Sequence, residues 1–98
     1  MKWALPLDYE SRSGHANYTG WIKSTYDDHE TFIHYENGVW TRDLGPAAIV
    51  MWKYGTQDCY FWLDERYVQE DAYWRAMYKK YRTTEHEGFV VSHMLGTK

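Results

Sequence analysis

The stretch from Asn37 to Leu63, NGVWTRDLGPAAIVMWKYGTQDCYFWL, limits what this chain can fold into more than any other part. Asn37-Gly38 signals a tight hairpin, because both residues accept positive φ at low cost. Val39 to Arg42 returns as a strand. Asp43-Leu44-Gly45-Pro46 then makes a corner, since a proline sits at a strand start or an edge. Ala47 to Tyr54 is the clearest strand. Its apolar residues hardly alternate with polar ones before Lys53, which is the pattern of a central strand covered on both faces. Gly55-Thr56-Gln57-Asp58 is the next turn, Cys59 to Leu63 the next strand, and Asp64-Glu65-Arg66 turns again.

Upstream, Trp3, Leu5 and Leu7 alternate and suggest a short strand. The turn-rich SRSGHANYTG follows, a surface loop whose backbone amides and Tyr18 offer a binding-loop alternative. Trp21 to Tyr26 and Thr31 to Glu36 read as strands separated by Asp27-Asp28. Downstream the period changes. Gln69 to Arg82 is a helix in which Trp74, Met77, Tyr78 and Tyr81 form one apolar stripe for packing on the sheet. Glu70 and Asp71 in its first turn, and Lys79, Lys80 and Arg82 in its last, complement the helix dipole. Phe89 to Leu95 reads as a last strand, and the closing Gly96-Thr97-Lys98 as fraying. The expected fold class is α+β. It has an antiparallel sheet, a meander of about five or six strands, with one C-terminal amphipathic helix packed on a face and then a final short strand.

The chain's 98 residues make a single domain, 1–98, with no room for a second core. Aromatic residues supply 19% of it, including ten Tyr and six Trp, so the core is expected to be aromatic rather than aliphatic. Tyr and Trp carry polar tips that need partners or water, so some belong at the surface, where aromatics commonly form interfaces. The formal charge of −3 opposes direct nucleic-acid binding by phosphate neutralisation. It is also mild for a mimic of DNA. One cysteine, Cys59, excludes an intrachain disulfide and a thiolate metal cluster, and fits a reducing cytoplasm. No signal-peptide run and no membrane-length apolar stretch are read, so the Asn17-Tyr18-Thr19 sequon is taken as chance.

Two stretches look alike. YDDHETFIHYENG from Tyr26 and KYGTQDCYFWLDE from Lys53 each run aromatic, turn, polar pair, aromatic strand, turn. Asn37-Gly38-x-x-x-Arg42-x-x-Gly45-Pro46-Ala47, then Gly55-Thr56, then Tyr60-x-Trp62-Leu63, resembles a repeat of uncharacterised bacteriophage and large-virus proteins. That unit runs N-G-K-x-H-R-x-D-G-P-A, an aromatic strand, D-G-T and W-Y-L-N-G. The resemblance covers residues 26–75, the last six of which are similar to a closing segment of some such proteins. It departs at Thr41 in place of His, at Leu44 in place of Asp, in a strand about two residues longer before Gly55, and at Asp64-Glu65 in place of Asn-Gly. Its motif is one of turns and strand aromatics. It implies a viral origin and a β-meander, and a site built on the lost His and Asp would not carry over.

The chemistry-bearing residues have plain structural readings. His29-Glu30-x-x-x-His34 misses the helical zinc-protease spacing by one, and on a strand its two histidines face apart. Glu85-His86-Glu87 and Ser92-His93 lack a nucleophile elbow and a third orienting residue. Cys59, inside an aromatic strand, reads as a buried inert thiol. No catalytic residue, metal ligand or cofactor is therefore expected. The candidate binding residues are Trp40, Arg42, Trp52, Lys53, Trp62, Arg66 and Tyr18. The three cationic side chains would flank whichever tryptophans are exposed, as at a protein interface or a stacking site, with at least two of the three tryptophans serving as core. The expectation is a small non-enzymatic phage protein in the host cytoplasm that inhibits a host anti-phage defence protein by stoichiometric contact. The alternative is a small-ligand or signalling-nucleotide binder acting as a dimer. Homodimerisation through a sheet edge or aromatic face fits either.

Overall fold

The computed structural model of the chain describes residues 3–11, 14 and 16–96. Arg12, Ser13 and His15 of the expected loop, and the terminal Thr97 and Lys98, lie outside the described residues. The strands are β1 (Gly20–Thr25), β2 (His29–Glu36), β3 (Val39–Trp40), β4 (Ala48–Trp52), β5 (Gln57–Leu63) and β6 (Arg66–Val68), followed by the helices α1 (Glu70–Tyr81) and α2 (Glu87–Gly96). The sheet is antiparallel in the order β1-β2-β4-β5-β6, with β3 hooked onto the end of β2. This is an α+β fold.

Turn chemistry sets the register. Asn37 and Gly38 take φ values of 53° and 81°, the left-handed pair that a two-residue hairpin needs. Asp64 and Glu65 take 50° and 67°, and send the chain back as β6, a strand not expected from the sequence. The corner after β3 is tied down at three points. Leu44 sits at φ 63°, the Gly45 N–H donates to the Tyr73 hydroxyl at 3.1 Å, and that hydroxyl donates to the Arg42 carbonyl at 2.5 Å. A side chain at Gly45 would meet the Arg42 guanidinium carbon at 2.6 Å, so it would have to displace the end of that arginine.

Strand alternation sorts the side chains onto two faces. Phe32, Ile49, Cys59 and Phe61 share the helix side, on which Phe61 packs with Tyr73, Trp74, Met77 and Val90 in a buried cluster. Trp3 lies on the same side, edge-on to Phe61, with its N–H and carbonyl bonded to the Gln57 side chain at 2.6 and 2.9 Å. The segment after it reaches the outer edge of β1, where Glu10 pairs with Ile22, and Tyr9 covers Phe32 on the way.

Two expectations are corrected. Phe89 to Leu95 is not a strand: it lies inside α2, because Phe89, Val90, His93 and Met94 fall at helical spacing and turn toward α1 and Trp3. The apolar stripe of α1 accordingly meets α2 as well as β5. Trp3 to Leu7 is an unpaired strap, with Leu7 fully exposed. The strand β4 is central, and its burial does not alternate: Ala48 and Ile49, on opposite faces, are both almost completely buried, while Val50, Met51 and Trp52 are half-buried. Ala48, Val50 and Trp52 point to the face away from the helices.

Candidate interaction surface

The face away from the helices carries His29, Thr31, Ile33 and Tyr35 from β2 and Trp40 from β3. It also carries Val50 and Trp52 from β4, Asp58, Tyr60 and Trp62 from β5, and Tyr67 from β6. On this face Ile22, Tyr35 and Ala48 are almost completely buried, Trp40, Trp52 and Trp62 are half-buried, and Tyr60 and Tyr67 are 39% and 52% exposed.

Two aromatic groups stand on this face. At the β3/β5/β6 end, Trp40 and Trp62 meet at 4.9 Å between ring centres. Trp62 continues to Tyr67 at 6.4 Å, and Tyr67 to Tyr60 at 6.3 Å. At the opposite end His29 lies between Tyr26, stacked at 4.6 Å, and Trp52 at 4.7 Å. Two carboxylates orient that row. Asp28 Oδ1 lies 2.6 Å from His29 Nδ1, and the Trp52 indole N–H donates to Asp58 Oδ2 at 2.8 Å.

The seven candidate residues therefore separate. Trp40 and Trp62 come together, and Trp52 anchors the second group. Lys53 stays near that end with its ammonium 5.8 Å from the Tyr54 ring, and Arg66 is exposed at the start of β6. Arg42 leaves this face altogether. Its guanidinium lies 5.0 Å from the Trp21 ring and 5.8 Å from the Trp3 ring, donates to the Pro46 carbonyl at 3.0 Å, and has its pKa lowered by burial. It clamps the N-terminal strap to the sheet. Tyr18 is a local brace, its hydroxyl donating to the Trp21 carbonyl at 3.0 Å. Tyr60, Tyr67, Tyr26 and His29 were not among the candidates. Tyr67 was hidden by reading Arg66 as turn, while the others need the strand register before they become neighbours.

The helix side contains an open cleft of about 940 Å³ between β5, the start of α1 and the end of α2, with Trp3, Cys59, Glu70, Asp71, Arg75 and His93 in its wall. Among its described lining residues Arg75 is the one lysine or arginine, and it is already paired with Asp71 at 3.3 Å. Cys59 donates to the Gln57 side-chain oxygen at 3.3 Å. Burial, followed by nearby Glu70 and Asp58, pushes its thiol up to about 11, which leaves it protonated and weakly nucleophilic at neutral pH. Among the described residues no group of three or more His, Cys, Asp or Glu side chains is placed to hold a metal ion, and no helix is long and apolar enough to cross a membrane. Comparison with protein-family models, with curated proteins and with solved structures gives no match to this chain.

Proposed function

We propose that this protein is a non-enzymatic binding module that engages a partner protein through the open, aromatic face of its sheet. The observation that carries this reading is the gathering of Trp40, Trp62, Tyr60 and Tyr67 on the face away from the helices, where Tyr60 and Tyr67 are 39% and 52% exposed. Trp and Tyr are the side chains that anchor protein interfaces, and Trp40, Trp52, Trp62, Tyr60 and Tyr67 are gathered on that face. The resemblance of residues 26–75 to phage and large-virus proteins supports a host protein as the partner. Inhibition of a defence protein in the host cytoplasm is the role that suits such a module.

The test is capture from nuclease-treated bacterial lysate with three tagged baits: the wild type, Trp62→Ser/Tyr67→Ser on the open face, and Arg75→Ala on the helix side. A host protein recovered near stoichiometry by the first and third baits and lost from the second supports the reading. Equal recovery by all three, or recovery of bait alone, overturns it. The cleft favours a second reading, a small-ligand binder. Glu70 and Asp71 on its wall, with Arg75 already paired, oppose a phosphate-bearing ligand there, so a neutral or cationic metabolite suits it better than a signalling nucleotide. Melting shifts with metabolite pools of each charge class distinguish the two.

A further inference from the structure

The ion pairs with lysine or arginine gather on the helix side of the sheet, where Glu30, Asp43 and Asp71 meet Lys23 at 3.1 Å, Lys80 at 2.5 Å and Arg75 at 3.3 Å, while Glu70, Glu85 and Glu87 have no such partner among the described residues. Around the open face stand Asp27 and Asp28 in the β1–β2 turn, Asp58 on β5, and Asp64 and Glu65 in the β5–β6 turn. Lys53, whose backbone N–H donates to the Asp28 carbonyl at 3.0 Å, and Arg66, which follows Glu65 directly, are cations beside them. Among the described residues none of these five carboxylates is paired with a lysine or arginine, and Asp28 meets only His29. The mild net charge of the chain conceals this separation, because Lys79, Lys80 and Arg82 balance it from the end of α1.

We propose that the occupant of the open face is a basic protein surface, an apolar patch bordered by arginine or lysine side chains. The inference rests on the reading of this face as a docking surface and adds the chemistry of the partner. An aromatic centre with carboxylates that lack a lysine or arginine partner at both ends offers a cation a ring face and a counter-charge together. The Tyr26–His29–Trp52 row beside Asp28 and Asp58 does so at one end, and the Trp40–Trp62 pair beside Asp64 and Glu65 does so at the other. A second copy of this chain is the poorer occupant. A two-fold interface sets a patch against itself, and here that would crowd ten carboxylates, five from each copy, around one seam.

The test uses two designed hairpin peptides with the same aromatic face, one flanked by arginine and the other by glutamate, titrated into isotope-labelled protein. The arginine peptide is expected to shift the indole signals of Trp40, Trp52 and Trp62 and to weaken at least about tenfold when salt rises from about 50 to about 500 mM. Asp28→Asn/Asp58→Asn, which keeps an acceptor for the Trp52 N–H, is expected to bind it about three- to tenfold more weakly with an unchanged backbone spectrum. Equal or tighter binding of the glutamate peptide at the same indoles overturns the charge inference and leaves the docking face standing. Shifts confined to α1 and α2 overturn both. Binding of neither peptide overturns the inference. So does a concentration-dependent dimer in sedimentation whose dissociation shifts the same indoles, because a second copy then occupies the face.

Discussion

The two sides of this sheet are made of the same kinds of residue and are treated differently by the rest of the chain. On the helix side Phe61, Tyr73 and Trp74 are almost completely buried, in ring contacts of 4.7 to 5.9 Å, and the polar tip of Tyr73 is bonded at 2.5 and 3.1 Å. On the open side Trp40, Trp62 and Tyr67 also touch, yet Tyr67 keeps 52% of its surface and neither tryptophan is fully buried. Aromatic content alone thus says nothing about whether a ring belongs to a core. What decides is whether another element of the chain arrives to cover it, and the chain spends both helices and its N-terminal strap on one side.

That contrast predicts unequal costs of truncation. Trp74→Ala removes a completely buried ring from between Phe61, Tyr73, Phe89 and His93, and is expected to cost about 3–5 kcal/mol, enough to leave a chain this small largely unfolded. Urea denaturation followed by near-ultraviolet circular dichroism measures it. Tyr73→Phe keeps the ring and removes the hydroxyl that accepts from Gly45 N–H and donates to the Arg42 carbonyl. It is expected to cost about 1–3 kcal/mol, since both backbone groups lose a partner in a buried corner. A smaller cost than that for Tyr73→Phe would mean that water replaces the hydroxyl.

Much of the frame was legible because it rests on local chemistry. Asn37-Gly38 announces its turn, Gly45-Pro46 its corner, and the stripe Trp74, Met77, Tyr78, Tyr81 its helix. Asp64-Glu65 reads as a turn and is one of the same left-handed kind, but Arg66–Val68 after it is too short a run to announce β6. Phe89-Val90-Val91 has strand-forming residues, and that propensity masked the helical spacing of Phe89, Val90, His93 and Met94. The candidate surface was only half legible for a different reason. Trp40 and Arg42 would share a face if the strand ran on, but β3 ends at Trp40. Thr41 bonds back to His34 through its N–H and its carbonyl, and the chain carries Arg42 to the opposite side. The meeting of Trp40 with Trp62 depends on two registers that no local pattern specifies.

A pH titration sharpens the comparison, because the helix side also holds the buttress between Asp43 and α1. Partial burial opposes the Asp43 carboxylate, but hydrogen bonds from Lys80 at 2.5 Å and Tyr81 at 2.6 Å outweigh it and hold the pKa below its ordinary value. A depressed carboxylate stabilises the fold above its unfolded pKa of about 3.9, and the stabilisation is lost as pH falls through the lower folded value. Lys80, raised first by its hydrogen bond to Asp43, acts in the opposite sense. Its contribution holds below the unfolded lysine value and fades as pH rises through the raised one. Asp43→Asn is therefore expected to flatten the acid limb of the stability profile below about pH 4 and to weaken the alkaline limb that Lys80 supplies.

The smallest effects are expected on the open face, and they decide what that face is. Trp62→Ser removes a ring that touches Trp40 and Tyr67, and is expected to cost about 1 kcal/mol, the scale of an aromatic pair that stays partly in water. Tyr67→Ser acts on a side chain already half exposed and is expected to stay within about 0.5 kcal/mol of the wild type. Stability and binding then separate: the same substitutions that hardly move the denaturation midpoint should abolish capture of the partner. If Trp62→Ser instead unfolds the protein as Trp74→Ala does, the open face is part of the core, its rings are there for the chain itself, and the docking reading falls with the contrast between the two sides.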